Sequence, residues 1–469
     1  MEAVFCHPFS GTELEAFRSL RKADLLGEAK KEKEDVKRMV KVVSWLLSVV
    51  DDPMFHKKPY NPVLGETMEM WTGGKGGEMG EVRGKEGKEE KEKTLFFAEQ
   101  VSHHPPILAS VVENVSEGVR GEFAVHYSAK FHGNSVSIKT NGTRVITLVK
   151  EEHYKKSALS KDTPLPTLLS TYSKMEKVAM EEIEGEKYFF NNFVPDLWMK
   201  NVLIGTRRHS WEGEILITCP STKLQASVKW SEKGEGSYMY PIYSNVIDVL
   251  ITRLPSSPSP LPFSSFFSPL DSSRQSEGED NEENNCANSD NDNKGHTPSK
   301  QEGDNGEEKE GNEEKKKKKK KKKKSKSKEK KGEEEGVVAR LKGVAGGELW
   351  YLEEKEEKGK GEKDVRGELA FSPSNYKEKP MLVLDEGDRL STNSLSMWGE
   401  LSRLLAVSDF KGADKVKREV EQNQRKIRKE KEEKDEKHVP VFFTKKYGTY
   451  FYKLPIVQLP TKADFAQQN

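Results

Sequence analysis

The sequence predicts a mainly β protein with flanking helices, an α+β chain whose strands form one large antiparallel sheet or barrel. Three observations carry this. From Thr94 to Trp230, short segments of alternating apolar and polar residues follow one another at close intervals. Tight turns separate many of them and helices do not alternate with them, which argues for an antiparallel meander over βαβ units. Strong helical periodicity is confined to the two ends of the chain. A closed barrel disposes of exposed edges, and one of many strands is too wide for side chains to fill, so it encloses a cavity.

In chain order, Glu13–Leu20 reads as a first helix behind Thr12 or Gly11, and about Ala29–Val50 as a second. In the second, Val36, Met39, Val40, Val43, Leu46 and Leu47 form an amphipathic stripe, and its polar face mixes both signs, as expected of a helix packed on its own domain. Asp51-Asp52-Pro53 ends it. Lys57–Glu66 carries two prolines, an Asn and a Gly, so it reads as an ordered loop, braced on a core by its Tyr and Val-Leu. Gly73–Lys93 is a long polar hairpin loop. Strands follow at Thr94–Ala98, Ile107–Val112, Glu122–Phe131, Ser135–Lys139, Thr143–Leu148, Lys187–Phe193, Gly213–Thr218 and Lys223–Trp230, with Asn141-Gly142 as a hairpin turn. Gly347–Leu352 is a further strand. Helices are expected over about Ser394–Val407, with one face of Leu395, Trp398, Leu401, Leu404 and Leu405, and over about Ala413–Glu436, which is almost wholly charged. The closing Val441–Phe443, Tyr450–Tyr452 and Leu454-Pro455 are apolar enough to dock on the domain.

Three regions follow: residues 1–255 with the N-terminal helices and the first part of the barrel, 256–335 as a disordered insertion, and 336–469 with the remaining strands and the C-terminal helices. The middle region runs from Pro/Ser through Asp/Asn/Glu/Ser to ten lysines, Lys315–Lys324, and cannot bury enough apolar surface to offset its ordering entropy.

Composition narrows the function. Charged residues are 33% of the 469, yet the net charge is only +1, so no whole-molecule attraction to nucleic acid or membrane follows. Cys6, Cys219 and Cys286 are too few and too scattered for a disulfide framework or a C-x-x-C zinc site, and fit a reducing, cytosolic setting. No signal peptide or run of about 18 apolar residues is read, which makes any membrane action peripheral. The lysine run offers phosphate affinity without sequence choice, and a polybasic nucleic-acid-binding or scaffold protein is the alternative from another class.

Two constellations are candidates for chemistry. Glu99-Gln100-Val101-Ser102-His103-His104-Pro105-Pro106 sets two adjacent imidazoles at a strand end against a Pro-Pro brace. As metal ligands they lack any H-E-x-x-H or Cys/His partner nearby. As a general base they lack a nucleophile motif, and no G-x-S-x-G occurs. Phosphate suits them better, since imidazolium donates from both nitrogens, and no Walker loop competes. Lys417, Glu421 and Arg425, at i, i+4 and i+8, share one helix face. They read either as a solvated salt-bridge ladder or as two cations facing a polyanion with Glu421 holding them in register. No catalytic residue, metal site or cofactor emerges.

Together these stretches resemble the oxysterol-binding-protein-related lipid-transfer proteins. Glu99–Pro106 matches the family signature over its full eight residues. Lys58-Pro59-Tyr60-Asn61-Pro62-Val63-Leu64-Gly65-Glu66 is similar to the family's Lys-Pro-x-Asn-Pro-x-Leu-Gly-Glu loop, and Lys417, Glu421 and Gln424-Arg425 match its late helix. The resemblance covers nearly the whole chain apart from the insertion and implies a short, single-domain member. It implies a large, nearly closed antiparallel barrel around a lipid tunnel, with an N-terminal lid for which only about Met1–Gly11 is available. It implies that phosphatidylinositol 4-phosphate binds with its headgroup on Lys58, Asn61, His103, His104, Lys417 and Arg425, with Glu421 as partner of the last two. The second cargo would be a sterol or phosphatidylserine. The expected protein is a non-enzymatic monomer that exchanges lipids at contact sites of endoplasmic reticulum, Golgi or plasma membrane, docks on anionic membrane surfaces and has no specific nucleic acid. Tyr188-Phe189-Phe190-Asn191-Asn192 lacks an acidic lead and is expected inside a strand rather than as an adaptor motif.

Overall fold

The computed structural model describes residues 24–50, 60–72, 94–156, 163–237, 240–255, 263–267, 336–357, 361–376 and 381–466. The expected first helix, the lid, Lys58, the polar hairpin loop and the lysine run lie outside them.

The chain opens with α1 (Asp24–Lys31) and α2 (Asp35–Val49). One continuous helix from about Ala29 was expected. The break falls at Glu32-Lys33-Glu34, where the Glu34 amide donates to Glu32 Oε1 and Arg38 donates to the Glu32 carbonyl. These local bonds divert the chain, and α1 then folds back to bury Leu25, Leu26 and Ala29. The face of α2 that bears Met39, Val43, Leu46 and Leu47 is buried, as its stripe requires.

Strands β1 (Thr67–Thr72), β2 (Thr94–His103), β3 (Pro106–Asn114), β4 (Val119–Phe131) and β5 (Ser135–Val149) follow. Short helices α3 (Glu151–Lys156), α4 (Leu165–Ser173) and α5 (Ala179–Glu182) precede β6 (Gly185–Phe190), β7 (Asp196–Lys200), β8 (Arg208–Cys219), β9 (Leu224–Ser237) and β10 (Tyr240–Arg253). Then come β11 (Val337–Val344), β12 (Leu349–Glu357), β13 (Gly361–Phe371), β14 (Met381–Val383), α6 (Ser394–Ala406), α7 (Phe410–Glu433), β15 (Phe443–Lys446), β16 (Thr449–Tyr452) and α8 (Lys462–Phe465).

Among the described residues, fourteen strands make one sheet, ordered β13-β12-β11-β10-β9-β8-β6-β5-β4-β3-β2-β1-β14, with β7 pairing β5 and β8. The sheet is curled. One apolar core joins α1 and α2 to inward residues of strands from both its ends, including Met70 on β1, Phe123 on β4, Ile217 on β8, Leu349 on β12 and Phe371 on β13. A flat sheet could not bring these to one helix. Alternation sets the inner face: Ile146 and Leu148 of β5 join that core, while Val145 and Val149 face outward into another.

The hairpin expected at Asn141-Gly142 is absent. β5 runs straight through it, pairing Asn141 with His126 and Gly142 with Val125. The turn is earlier, at His132–Asn134, where Gly133 takes a φ of 77°. Gly142 serves close approach instead, since a Cβ there would lie 2.6 Å from the Ala124 carbonyl oxygen.

The closing segment packs on the outer face of β2–β4, where Phe442, Phe443, Tyr450 and Tyr452 join Phe97, Val101 and Ala124. Its polar anchor is Arg120, fully buried. Arg120 donates to the carbonyls of Pro455 and Leu454 at 2.8 and 2.9 Å, and lies 3.7 and 3.5 Å from Glu113 and Glu122.

Candidate functional site

The Lys57–Glu66 loop and the Glu99–Pro106 stretch are stitched together by backbone. The Gly65 amide donates to the Gln100 carbonyl at 2.9 Å, and the Gln100 amide donates to the Glu66 carbonyl at 2.8 Å. Gly65 takes a φ of 81°, which a side chain would resist. Glu66 is buried and ties the loop to α6. It accepts from the Val63 amide and Trp398 Nε1, both at 2.9 Å, and from Ser394 Oγ at 2.6 Å. Tyr60 stacks on Trp398 with ring centroids 5.3 Å apart, and Val63, Leu401 and Ala413 complete a small core that takes in Val416 and Val420 of α7. The brace expected from Tyr60 and Val63 is therefore α6 and α7 themselves.

On the other side, Glu99 accepts from the amides of Val441 and Phe442 at 2.8 and 2.9 Å. Burial pushes its carboxyl up to about 7, against the pull of those two amides. The carboxylate thus pins the chain leaving α7 beside the start of the histidine stretch.

His103 ends β2, His104 begins the turn after it, and a cis peptide bond joins His104 to Pro105. Their rings lie edge to face, 4.7 Å apart. The two therefore meet, although residues adjacent on a regular strand point to opposite faces. His103 is half-buried and His104 exposed. Burial, then the neighbouring His104 and Arg428, holds the His103 imidazole below its ordinary range. Its Nδ1 is buried without a hydrogen-bond partner among the described residues. Arg428 Nη1 lies 3.3 Å from His104 Nε2. A guanidinium only donates, so Nε2 accepts in this arrangement.

α7 carries the predicted late-helix residues. Lys417 Nζ lies 3.8 Å from Glu421 Oε1, and Arg425 is exposed. Asn61 is exposed beside the buried Pro62. The contact to His104 comes from Arg428, which sequence reasoning missed. The signal was present, because Arg428 extends the 417, 421, 425 series by one further three-residue step on the same face. His438 was also missed: a Cβ on Gly65 would lie 3.5 Å from its Cε1. Burial, then Lys431, lowers its imidazole.

Three separated stretches thus converge at one end of a curled antiparallel sheet, where the two imidazoles meet the Arg428 guanidinium. The family model described as "Oxysterol-binding protein" matches residues 1–250, more than half of the chain. The chain belongs to that family. Among its relatives, mouse oxysterol-binding protein-related protein 8 is 30% identical over 225 residues, 47% of this chain and 20% of that protein. Oxysterol-binding protein-related protein 4C of Arabidopsis thaliana is 27% identical over 207 residues, 44% of this chain and 40% of that one. The matched segment is thus well under half of either relative. The fold is similar to that of the Osh1 ORD domain solved with ergosterol, with a TM-score of 0.54 at 16% identity, covering 97% of this chain and 82% of that one. It is likewise similar to the Osh3 ORD of Saccharomyces cerevisiae solved with PI(4)P, with a TM-score of 0.52 at 16% identity, covering 100% of this chain and 88% of that one. Among the described residues no helix is long and apolar enough to cross a membrane.

Proposed function

We propose that this protein binds phosphatidylinositol 4-phosphate, with its headgroup at the His103–His104 end of the sheet and its acyl chains inside, and exchanges it between membranes for a sterol. The observation that carries this is the juxtaposition of the two imidazoles with Arg428 of α7. The half-buried His103 and the exposed His104 supply imidazole ligands for one phosphate, and guanidinium-phosphate bonds belong to the strong, charge-assisted class. Lys417 and Arg425 add cations from the same helix with Glu421 as their partner, and Lys58 and Asn61 contact the headgroup. Related folds solved with ergosterol and with PI(4)P support a pairing of these two lipids. Phosphatidylserine is the other candidate for the second cargo. The protein acts as a monomer without catalytic chemistry, and the cationic surface of α7 attaches it peripherally to anionic membranes.

The test is extraction of phosphatidylinositol 4-phosphate from liposomes. The paired replacement His103→Ala/His104→Ala abolishes extraction while circular dichroism and the thermal midpoint stay close to those of the parent. Unchanged extraction would refute the headgroup assignment.

A further inference from the structure

Arg144 lies on β5, on the inner face of the sheet, and is fully buried. It sits in a cross-strand row with Ser110 on β3, Phe123 on β4 and Phe190 on β6. Four rings enclose the guanidinium carbon, with centroids at 4.4 Å for Phe193, 5.1 Å for Trp45, 5.5 Å for Phe190 and 5.6 Å for Phe123. Among the described residues, none of its three nitrogens finds a hydrogen-bond acceptor. Trp45 Nε1 and Ser110 Oγ are buried without hydrogen-bond partners as well.

Arg120 shows what this chain does with a buried arginine that serves the fold. On the outer face it meets two carbonyls and two carboxylates. Arg144 has only ring faces, and a buried charge without acceptors is strongly destabilising. Burial pulls its guanidinium down to about 9, which still leaves it charged at neutral pH. The surplus is of donors, namely a guanidinium and an indole N–H. Such a set calls for an oxyanion.

We propose that Arg144 is the inner anchor of a second lipid site, which takes a carboxylate-bearing amphiphile with its acidic end buried against the guanidinium. A carboxylate fits better than a phosphate. Its planar pair of oxygens matches the guanidinium fork. Its single charge balances the single cation, whereas a phosphate dianion would leave charge uncompensated among aromatic walls. The body of such a ligand is apolar, as is the surrounding core. Free fatty acids and steroid acids share this chemistry. The inference rests on the reading of the sheet interior as a lipid chamber and names the class of cargo that chamber selects.

The experiment uses the full chain, stripped of lipid, and measures binding of four probes: oleate, oleyl alcohol, 5β-cholanic acid and the corresponding 24-alcohol. Wild type prefers at least one acid over its alcohol by tenfold or more, and the pair that shows this tells a fatty acid from a steroid acid. Arg144→Met loses the preference, and Arg144→Lys keeps part of it. Without ligand, Arg144→Met melts no lower than wild type, because an uncompensated charge has been removed. Equal binding of acid and alcohol by wild type overturns the inference. So does an Arg144→Met protein that melts lower yet keeps the acid preference, since the arginine is then a structural cation held by its rings. Phosphatidylinositol 4-phosphate extraction by wild type, read in parallel, separates this inference from the headgroup assignment. Extraction with no acid preference sinks the inference alone, and acid preference without extraction sinks the headgroup assignment alone.

Discussion

At the scale of the residue, the site is governed by His103. Burial, His104 and Arg428 all favour its neutral form, so the free protein holds it uncharged at neutral pH. A phosphate beside it favours the charged form and raises its pKa. Binding therefore takes up a proton, and phosphoinositide affinity rises as pH falls through the raised, bound-state value. The expected outcome is stronger extraction near pH 6 than near pH 7.5. The phosphate's own second ionisation, around pH 6, works the other way by removing negative charge. His103→Asn, which keeps a polar group of similar reach without titrating, isolates the histidine contribution. A pH profile identical in wild type and His103→Asn would exclude the imidazole as the linked group.

At the scale of the element, Glu66 joins the loop to α6, and that junction seats α7. Glu66→Ala strands the Val63 amide, Trp398 Nε1 and Ser394 Oγ together in a buried site. The expected loss is roughly 2–4 kcal/mol in urea unfolding, at the upper end of single substitutions. Because the same junction holds α7 opposite the imidazoles, headgroup binding weakens with it. A loss below about 0.5 kcal/mol would mean that Tyr60 and Val63 hold the loop unaided. The elements also show what was legible. The stripe on α2, the alternation in β4 and β8, and the apolar face of α6 could be read because burial imposes a period on residue choice. The break between α1 and α2 could not, since it depends on where a few side chains of an all-charged stretch find local partners. Asn141-Gly142 misled for a similar reason. A glycine can mark a turn or a close backbone approach, and only the position of Ala124 across the ladder decides between them. The site was read through Glu99–Pro106 and the 417–425 spacing. Arg428 was missed because, although it continues the face of Lys417, Glu421 and Arg425, a cation in an almost wholly charged helix does not stand out from its neighbours until the helix is docked.

At the scale of the whole molecule, the two faces of the curled sheet treat buried charge differently, and under the proposed function the inner face is the one that meets cargo. The outer face carries Arg120, Glu113 and Glu122 as a hydrogen-bonded set that locks the C-terminal segment down, with the Tyr452 amide donating to Glu122 at 2.8 Å and the Tyr154 hydroxyl to Glu113 at 3.1 Å. Arg120→Met removes the only cation within salt-bridge reach of either carboxylate among the described residues, and takes the Arg120 donors away from the Leu454 and Pro455 carbonyls. Breaking a buried pair in this way costs about 3–5 kcal/mol. The loss should be the same with and without lipid, because the cluster faces away from the interior. The inner face responds differently. A ligand that binds only the folded chain at 100 times its Kd raises stability by about 2.7 kcal/mol, in wild type and in Arg120→Met alike. Thermal melts of both proteins, lipid-free and lipid-loaded, test the separation. Two parallel upward shifts, with a constant gap between the proteins, mean that fold and cargo rest on opposite faces of one sheet. A lipid that closes the gap would mean that the C-terminal segment is part of the lipid site and that the faces are coupled.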